Sequence, residues 1–409
     1  MKRLTLILFA GLFSLIISGG ITLQDVLDNT AASIPRQQED IDRSVNNKAL
    51  LSSLVGYMPR LSYYVSIDST TNTDYAYSQG FSLSQTIVNI PYLMNIVSGK
   101  YTTDIANLSY TVNSQNLIYD AIDKFFTLLE YQIRLELDSM LVVNEEKNIL
   151  KAKSRFEKGI LSGRDFRNLE ANYYNIRSRL YSNQMKYNSL VSEFEILTGI
   201  EVKEDLVEPD SVPHMESSRI EPEEILPVLP EYILHQKNYA VKTVSQANAL
   251  TEFFPTANLS LRAGISDSVY SFNMTDFKDN YSLSASVNIS FPLFTGFSRT
   301  LNVIQKSGEK KKAGLEYRKA ELTYRAMLEN FPSMIKQIEA MYLSAENAYN
   351  SQKISFEIAS KLFENNELSS IDYIDAQREY INSRINLIQI KNTYYQTYHR
   401  YLYYLRRIK

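Results

Sequence analysis

Hydrophobic residues along this chain follow two rhythms, which alternate. From Ile21 to Tyr57 the spacing is helical: Leu23, Val26 and Leu27 open the stretch, Ala49, Leu50, Leu54 and Val55 end it, and Pro59 stops it. Strict alternation follows, with Leu61, Tyr63, Val65 and Ile67 set against Ser62, Tyr64, Ser66 and Asp68. After a polar loop from Ser69 to Asp74 a second alternating run sets Tyr77, Phe81 and Leu83 against Ser78, Gly80, Ser82 and Ser84. A period of two over such lengths predicts strands with one apolar face, about 60–68 and 77–88, joined as a hairpin.

Pro91 opens a much longer helical stretch, in which Ile118, Ile122, Phe125, Leu129, Ile133, Leu137 and Leu141 recur at steps of three and four. That stripe is the seam of packed or coiled helices. It predicts a helix reaching about Phe156, roughly 100 Å long at 1.5 Å per residue, too long for an ordinary globular domain. The pattern breaks near 157–164 and resumes to about Leu197, where Thr198-Gly199 stops it. Residues 200–222 are acidic, contain proline and read as a linker.

The programme then repeats. A short helical segment leads to alternating runs at about 256–267 and 281–291. In the second, Tyr281, Leu283, Ala285, Val287, Ile289 and Phe291 alternate with Ser282, Ser284, Ser286, Asn288 and Ser290. Helix follows to the C-terminus with one break near 364–371. Phe156, Leu161, Ser162 and Asp165 match Phe363, Leu368, Ser369 and Asp372, each 207 residues later. The expected organisation is a leader over 1–20, a first repeat over 21–199, the linker over 200–222 and a second repeat over 223–409.

Composition narrows the function. The leader has a basic start (Lys2, Arg3), an apolar run from Leu4 to Ile17 and small residues at Ser18, Gly19 and Gly20, which is a secretory signal pattern. The run is shorter than the roughly 20 residues of a spanning helix. The 409 residues include no Cys, excluding disulfides, thiolate metal sites and a cysteine nucleophile. Three histidines (His214, His235, His399), far apart in sequence, offer no His-based metal or catalytic site; no cofactor and no enzymatic activity are expected. A net charge of −3 gives no basic field for nucleic acid. Tyr, at 30 residues, is abundant and suits boundaries between apolar and wet surroundings.

Four amphipathic strands cannot close a barrel, and an open sheet edge cannot sit in lipid. Three chains would supply twelve strands, an even number within the range of outer-membrane barrels. The apolar rows would then meet lipid, the Ser/Asn rows a wet lumen, and Tyr63, Tyr75, Tyr77, Tyr270, Phe272 and Tyr281 an aromatic girdle. A soluble four-stranded sandwich would leave the long helices without a purpose. A periplasmic coiled-coil adaptor or scaffold without a barrel would leave the apolar rows without one.

Several motifs resemble the outer-membrane efflux (TolC-like) family: Ile21-Thr22-Leu23-Gln24-Asp25-Val26-Leu27 at the mature start, Phe81-Ser82-Leu83-Ser84-Gln85 before the first long helix, and Phe291-Pro292-Leu293-Phe294 in the second half. The strongest are the helix breaks, Arg155-Phe156-Glu157-Lys158-Gly159-Ile160-Leu161-Ser162-Gly163-Arg164-Asp165 and Leu362-Phe363 through Asp372-Tyr373-Ile374-Asp375-Ala376. The resemblance implies a homotrimer with a barrel in the outer membrane and a helical tunnel in the periplasm. It implies no enzymatic activity, and a role as exit duct for an inner-membrane pump coupled through a periplasmic adaptor.

Candidate sites gather at the breaks. Asp372 and Asp375, three apart, project to one helix face, and Asp near a helix start also serves as a cap. By resemblance they would ring the periplasmic aperture, three carboxylates per ring, while Phe363 and Leu368 occupy positions where the family's closed state uses a tyrosine and an arginine. Neither side chain can make a charged link. Gly159, Ile160, Leu161, Ser162, Asp165, Glu367 and Ser369 are the expected tip and adaptor contacts; Asp165 also reads as a helix cap. The basic run around Glu309-Lys310-Lys311-Lys312 reads as a solvated face, and Phe331-Pro332 as a kink in a helix.

Overall fold

The computed structural model describes residues 20–70, 73–216, 221–267, 281–365 and 367–408. Most of the leader, as well as Tyr270 and Phe272, lies outside the described residues. Three short helices fill the first helical stretch: α1 (Leu23–Thr30), α2 (Ile34–Asn46) and α3 (Ala49–Val55). Thr22 and Asp25 form a capping box at the start of α1. Pro35 stands at the start of α2, where its missing N–H costs nothing, so the stretch restarts there instead of continuing. Then come β1 (Arg60–Thr70), β2 (Thr73–Val88), α4 (Ile90–Glu157) and α5 (Gly163–Thr198). A short α6 (Pro222–Ile225) and a 3-10 turn (Leu226–Val228) precede α7 (Pro230–Thr251), β3 (Thr256–Asp267), β4 (Ser282–Ser290), α8 (Ser298–Glu364) and α9 (Ser370–Ile408). α8 runs through Pro332 as one helix.

The chain forms two compact units, each drawn from three segments. One takes residues up to 37, 116–217 and 332–403; the other takes 38–115, 218–331 and 404–409. In the first, the stripe read from sequence is the core: Ile122, Phe125, Leu129, Ile133, Leu137 and Leu141 are buried with Phe126, Ile381, Ile385 and Ile388. Each such side chain contributes about 1.5–3 kcal/mol by leaving water. Residues 200–216 are held against this unit. Leu206 is buried, and its N–H donates to Gln132 Oε1 at 2.9 Å. Glu208 accepts from Arg384 and, at 2.6 Å, from the buried Lys391. Tyr394 and Tyr395 donate to the carbonyls of Pro213 and Ser211 at 2.7 and 2.8 Å. The apolar Leu206 and Met215 within the acidic stretch anchor it.

The second unit carries an antiparallel sheet in the order β1-β2-β3-β4, so β2 and β3 join the two hairpins. Register keeps the apolar and the polar rows largely apart. Tyr63 pairs with Phe81 and Phe81 with Ala263, which pairs with Leu283. One step along, Ser62, Ser82, Arg262 and Ser284 stand abreast. The apolar face is bare: Leu61, Ile67, Leu283 and Ile289 are 69, 60, 71 and 73 % exposed. Tyr63 packs edge-on against Phe81 at 5.3 Å and donates to Gln79 Oε1 at 3.0 Å, satisfying a buried amide on that face. Leu293, Phe294 and Phe297, just beyond β4, are also exposed.

Candidate functional site

Both helix breaks lie in the first unit and are built alike. α4 ends with Gly159 at φ +73°, a conformation that penalises any residue with a Cβ. The N–H of Gly159 returns to Phe156 O at 2.9 Å and that of Ile160 to Arg155 O at 2.9 Å, the Schellman closure of a helix end. Ser162 then caps α5: its hydroxyl accepts from Asp165 N–H at 3.1 Å and donates to Asp165 Oδ2 at 2.7 Å. At the second break the N–H of Glu367 returns to Leu362 O at 2.8 Å. Ser369 and Asp372 reproduce the serine–aspartate pair at 2.7 and 3.2 Å.

Aromatic side chains seal each break. Phe156 stacks on Phe166, with centroids 5.2 Å apart and planes at 6°; Phe363 stacks on Tyr373 at 4.5 Å and 13°. Leu161 and Phe363 pack on Ala152, Phe166 and Leu169. The two breaks meet directly, because Ser370 Oγ donates to Asp165 Oδ1 at 3.2 Å. Between them lies a groove of about 550 Å³. Its apolar wall includes Leu161, Leu169, Phe363 and Leu368, and its rim mixes Lys151 and Arg155 with Asp165 and Glu364. Ile160 and Glu367 are exposed beside it.

Asp372 is therefore tied to the capping Ser369, whose hydroxyl accepts its N–H and donates to its carboxylate, while Asp375 pairs with Arg378 at 2.7 Å on an exposed surface. Phe363 is engaged within its own chain by Tyr373, and Leu368 lines the groove.

A buried carboxylate escaped the sequence reading. Glu145 is fully buried; Tyr373 and Gln377 donate to its Oε1 at 3.0 and 3.1 Å, and its Oε2 has no hydrogen-bond partner. Burial pushes its carboxyl above the ordinary range, against the pull of those hydrogen bonds. Burial, then the neighbouring carboxylate, also raises the Tyr373 hydroxyl. The signal was in the spacing: Glu145 follows Leu137 and Leu141 at steps of four, on the apolar stripe. Asp138 is likewise buried, and Arg179 and Asn183 hold it. Among the described residues no group of three or more His, Asp or Glu is placed to hold a metal ion.

Residues 235–401 match the family model described as outer membrane efflux protein. No curated protein matches the chain in sequence. Three solved structures are similar in fold. The CmeC outer membrane channel of Campylobacter jejuni superposes with a TM-score of 0.75 at 16 % identity, covering 92 % of this chain and 84 % of that one. The outer membrane protein VceC of Vibrio cholerae gives 0.70 at 11 %, covering 94 % and 95 %. The open-state MtrE outer membrane channel of Neisseria gonorrhoeae gives 0.63 at 14 %, covering 92 % and 87 %. The outer membrane efflux proteins are channels of the outer membrane, not enzymes. This chain carries that family's signature over residues 235–401 and, across its described length, the fold of the TolC-like channels.

Proposed function

We propose that three copies of this chain close a twelve-stranded barrel in the outer membrane and form the exit duct of a tripartite efflux or type I secretion system. The carrying observation is the sheet. Its β1 and β4 edges have no strand partner among the described residues, and its apolar face leaves large side chains such as Leu61, Ile67, Leu283 and Ile289 exposed. Lipid covers such a face at no cost, and only closure with further copies removes the edges. The exposed apolar residues of α2 and α3, among them Ile34, Ile41 and Leu51, favour contacts between copies as well. The recurrence of strands, long helices and matching breaks 207 residues apart is read as an internal duplication.

The helices extend into the periplasm, and the tip groove, with its apolar wall and mixed-charge rim, receives the periplasmic adaptor that links the duct to an inner-membrane pump. Asp372 and Asp375 from three copies line the periplasmic aperture. Detergent-purified protein should contain three chains per particle and partition with the outer membrane. A stable water-soluble monomer would overturn this reading and favour an adaptor or scaffold.

A further inference from the structure

The polar face of the sheet is not neutral. Over positions 60–68, 76–86, 258–266 and 282–290 it presents mainly hydroxyl and amide side chains, with Arg60 and Arg262 as cations toward one end and the middle and Asp68 as the acid near the far end of β1. Both arginines are exposed, and among the described residues no carboxylate pairs with either. Arg262 has a built setting. Tyr64 on β1 stands abreast of Gly80 and Gly264. A Cβ at Gly264 would meet Tyr64 Oη at 2.5 Å, so a glycine is needed there for the ring to lie across the strands; at Gly80 a Cβ would meet the Ala263 carbonyl oxygen of the neighbouring strand at 2.3 Å. The guanidinium of Arg262 sits 6.0 Å from the centre of that ring. Its neighbours Ser62, Ser82 and Ser284 offer hydroxyls, Ser62 and Ser82 bonded to each other at 2.8 Å.

We propose that this face is an anion-selecting surface of the channel, on which Arg262, Arg60 and the Tyr64 ring receive small organic carboxylates in transit. The proposal rests on the barrel reading above, which turns the polar face toward the lumen and multiplies each arginine by three. An unpaired guanidinium forks onto a carboxylate with two parallel hydrogen bonds, while the ring beside it takes an apolar or aromatic body. The field acts over about 8 Å at physiological ionic strength, a reach comparable with the spacing of neighbouring strands. The acidic aperture and the basic barrel would then oppose each other in setting ion preference.

The test uses purified trimers in planar bilayers, with a KCl gradient for selectivity and sodium benzoate as the probe anion, added on the extracellular side. Arg60→Ser with Arg262→Ser should shift the reversal potential toward the cation value and abolish the current fluctuations caused by benzoate. Tyr64→Leu should weaken the benzoate response and leave the reversal potential in place. Conducting double-serine trimers with unchanged reversal potential and benzoate response would overturn the proposal and leave the barrel standing. Wild-type trimers that form no channel would overturn both. Should the serine variants fail to assemble, wild type decides alone: the benzoate response must vanish at about 1 M salt, where screening acts within ~3 Å, and its persistence overturns the proposal.

Discussion

Ser370 donates its hydroxyl to Asp165 across 3.2 Å, tying the start of one tip helix to the cap of the other. Asp165 accepts from Ser162 with its other oxygen, at 2.7 Å, so one carboxylate serves both breaks. Asp165→Ala removes both of these hydrogen bonds while leaving the Ser162 hydroxyl on the backbone N–H of residue 165, and should cost about 1–2 kcal/mol. Ser370→Ala should cost less, since only one of the two bonds is lost. Thermal unfolding of the solubilised protein measures both, and the order should be Asp165→Ala before Ser370→Ala.

Two glycines in the same break should behave oppositely. Gly159 sits at φ +73°, so Gly159→Ala should destabilise the tip by about 1–2 kcal/mol. Gly163 opens α5 in ordinary helical geometry, and a Cβ there meets only the Phe156 ring, at 3.5 Å. Gly163→Ala should be neutral or stabilising by up to about 1 kcal/mol. Limited proteolysis at the tip reports the difference: faster cutting in the first variant and none gained in the second.

The two faces of β4 should tolerate charge unequally. Val287 lies on the exposed apolar face and Ser286 on the polar one. Val287→Arg should cost roughly 2–4 kcal/mol if near the bilayer midplane, and Ser286→Arg far less. The yield of folded trimer from membranes is the readout, and equal losses would contradict the proposed orientation.

Two glutamates should give stability opposite pH slopes. Burial raises Glu145 above 4.5, so the folded state holds its proton more tightly than the unfolded state. Stability is then lost as pH rises from 4.5 through the raised value, and Glu145→Gln should remove that loss. Glu208 differs: burial opposes the shift, but hydrogen bonds and charge from Arg384 and Lys391 hold it below 4.5. Its contribution is present above 4.5 and lost as pH falls through the lowered value. Glu208→Gln strands the buried Lys391 and should cost about 3 kcal/mol near neutral pH. Melting temperatures followed from about pH 2 to 8 compare the two.

In the proposed trimer Asp372 and Asp375 should control ion entry. Replacing both with Asn removes charge, leaves the Ser369 cap in place and keeps an amide oxygen to accept from the Ser369 hydroxyl. The double variant should lose cation selectivity and multivalent-cation block in planar bilayers, with trimers intact. Unchanged conductance properties would leave Asp372 a partner of Ser369 and Asp375 a partner of Arg378.

Periodicity alone determined the strands, the long helices and the breaks, because backbone geometry imposes repeats of 2 and 3.6 residues on whatever buries one face. The sequence placed a cap at each break but assigned it to Asp165 and Asp372; the structure gives that role to Ser162 and Ser369, three positions earlier, because a serine hydroxyl just ahead of the helix reaches the free N–H groups of its first turn. Pairings between distant segments were not legible. The joining of β2 to β3, the Ser370–Asp165 link, the docking of residues 200–216 and the burial of Glu145 under Tyr373 depend on partners up to 228 residues apart. Local spacing carries no record of such partners. The acidic stretch looked like a linker because charge suggests solvent, yet Arg384 and Lys391 neutralise Glu208, and Leu206 and Met215 bury themselves. Likewise a single Arg262 among serines meant little in sequence. Only the strand register set it beside the Tyr64 ring, because hydrogen bonds between strands decide which residues stand abreast.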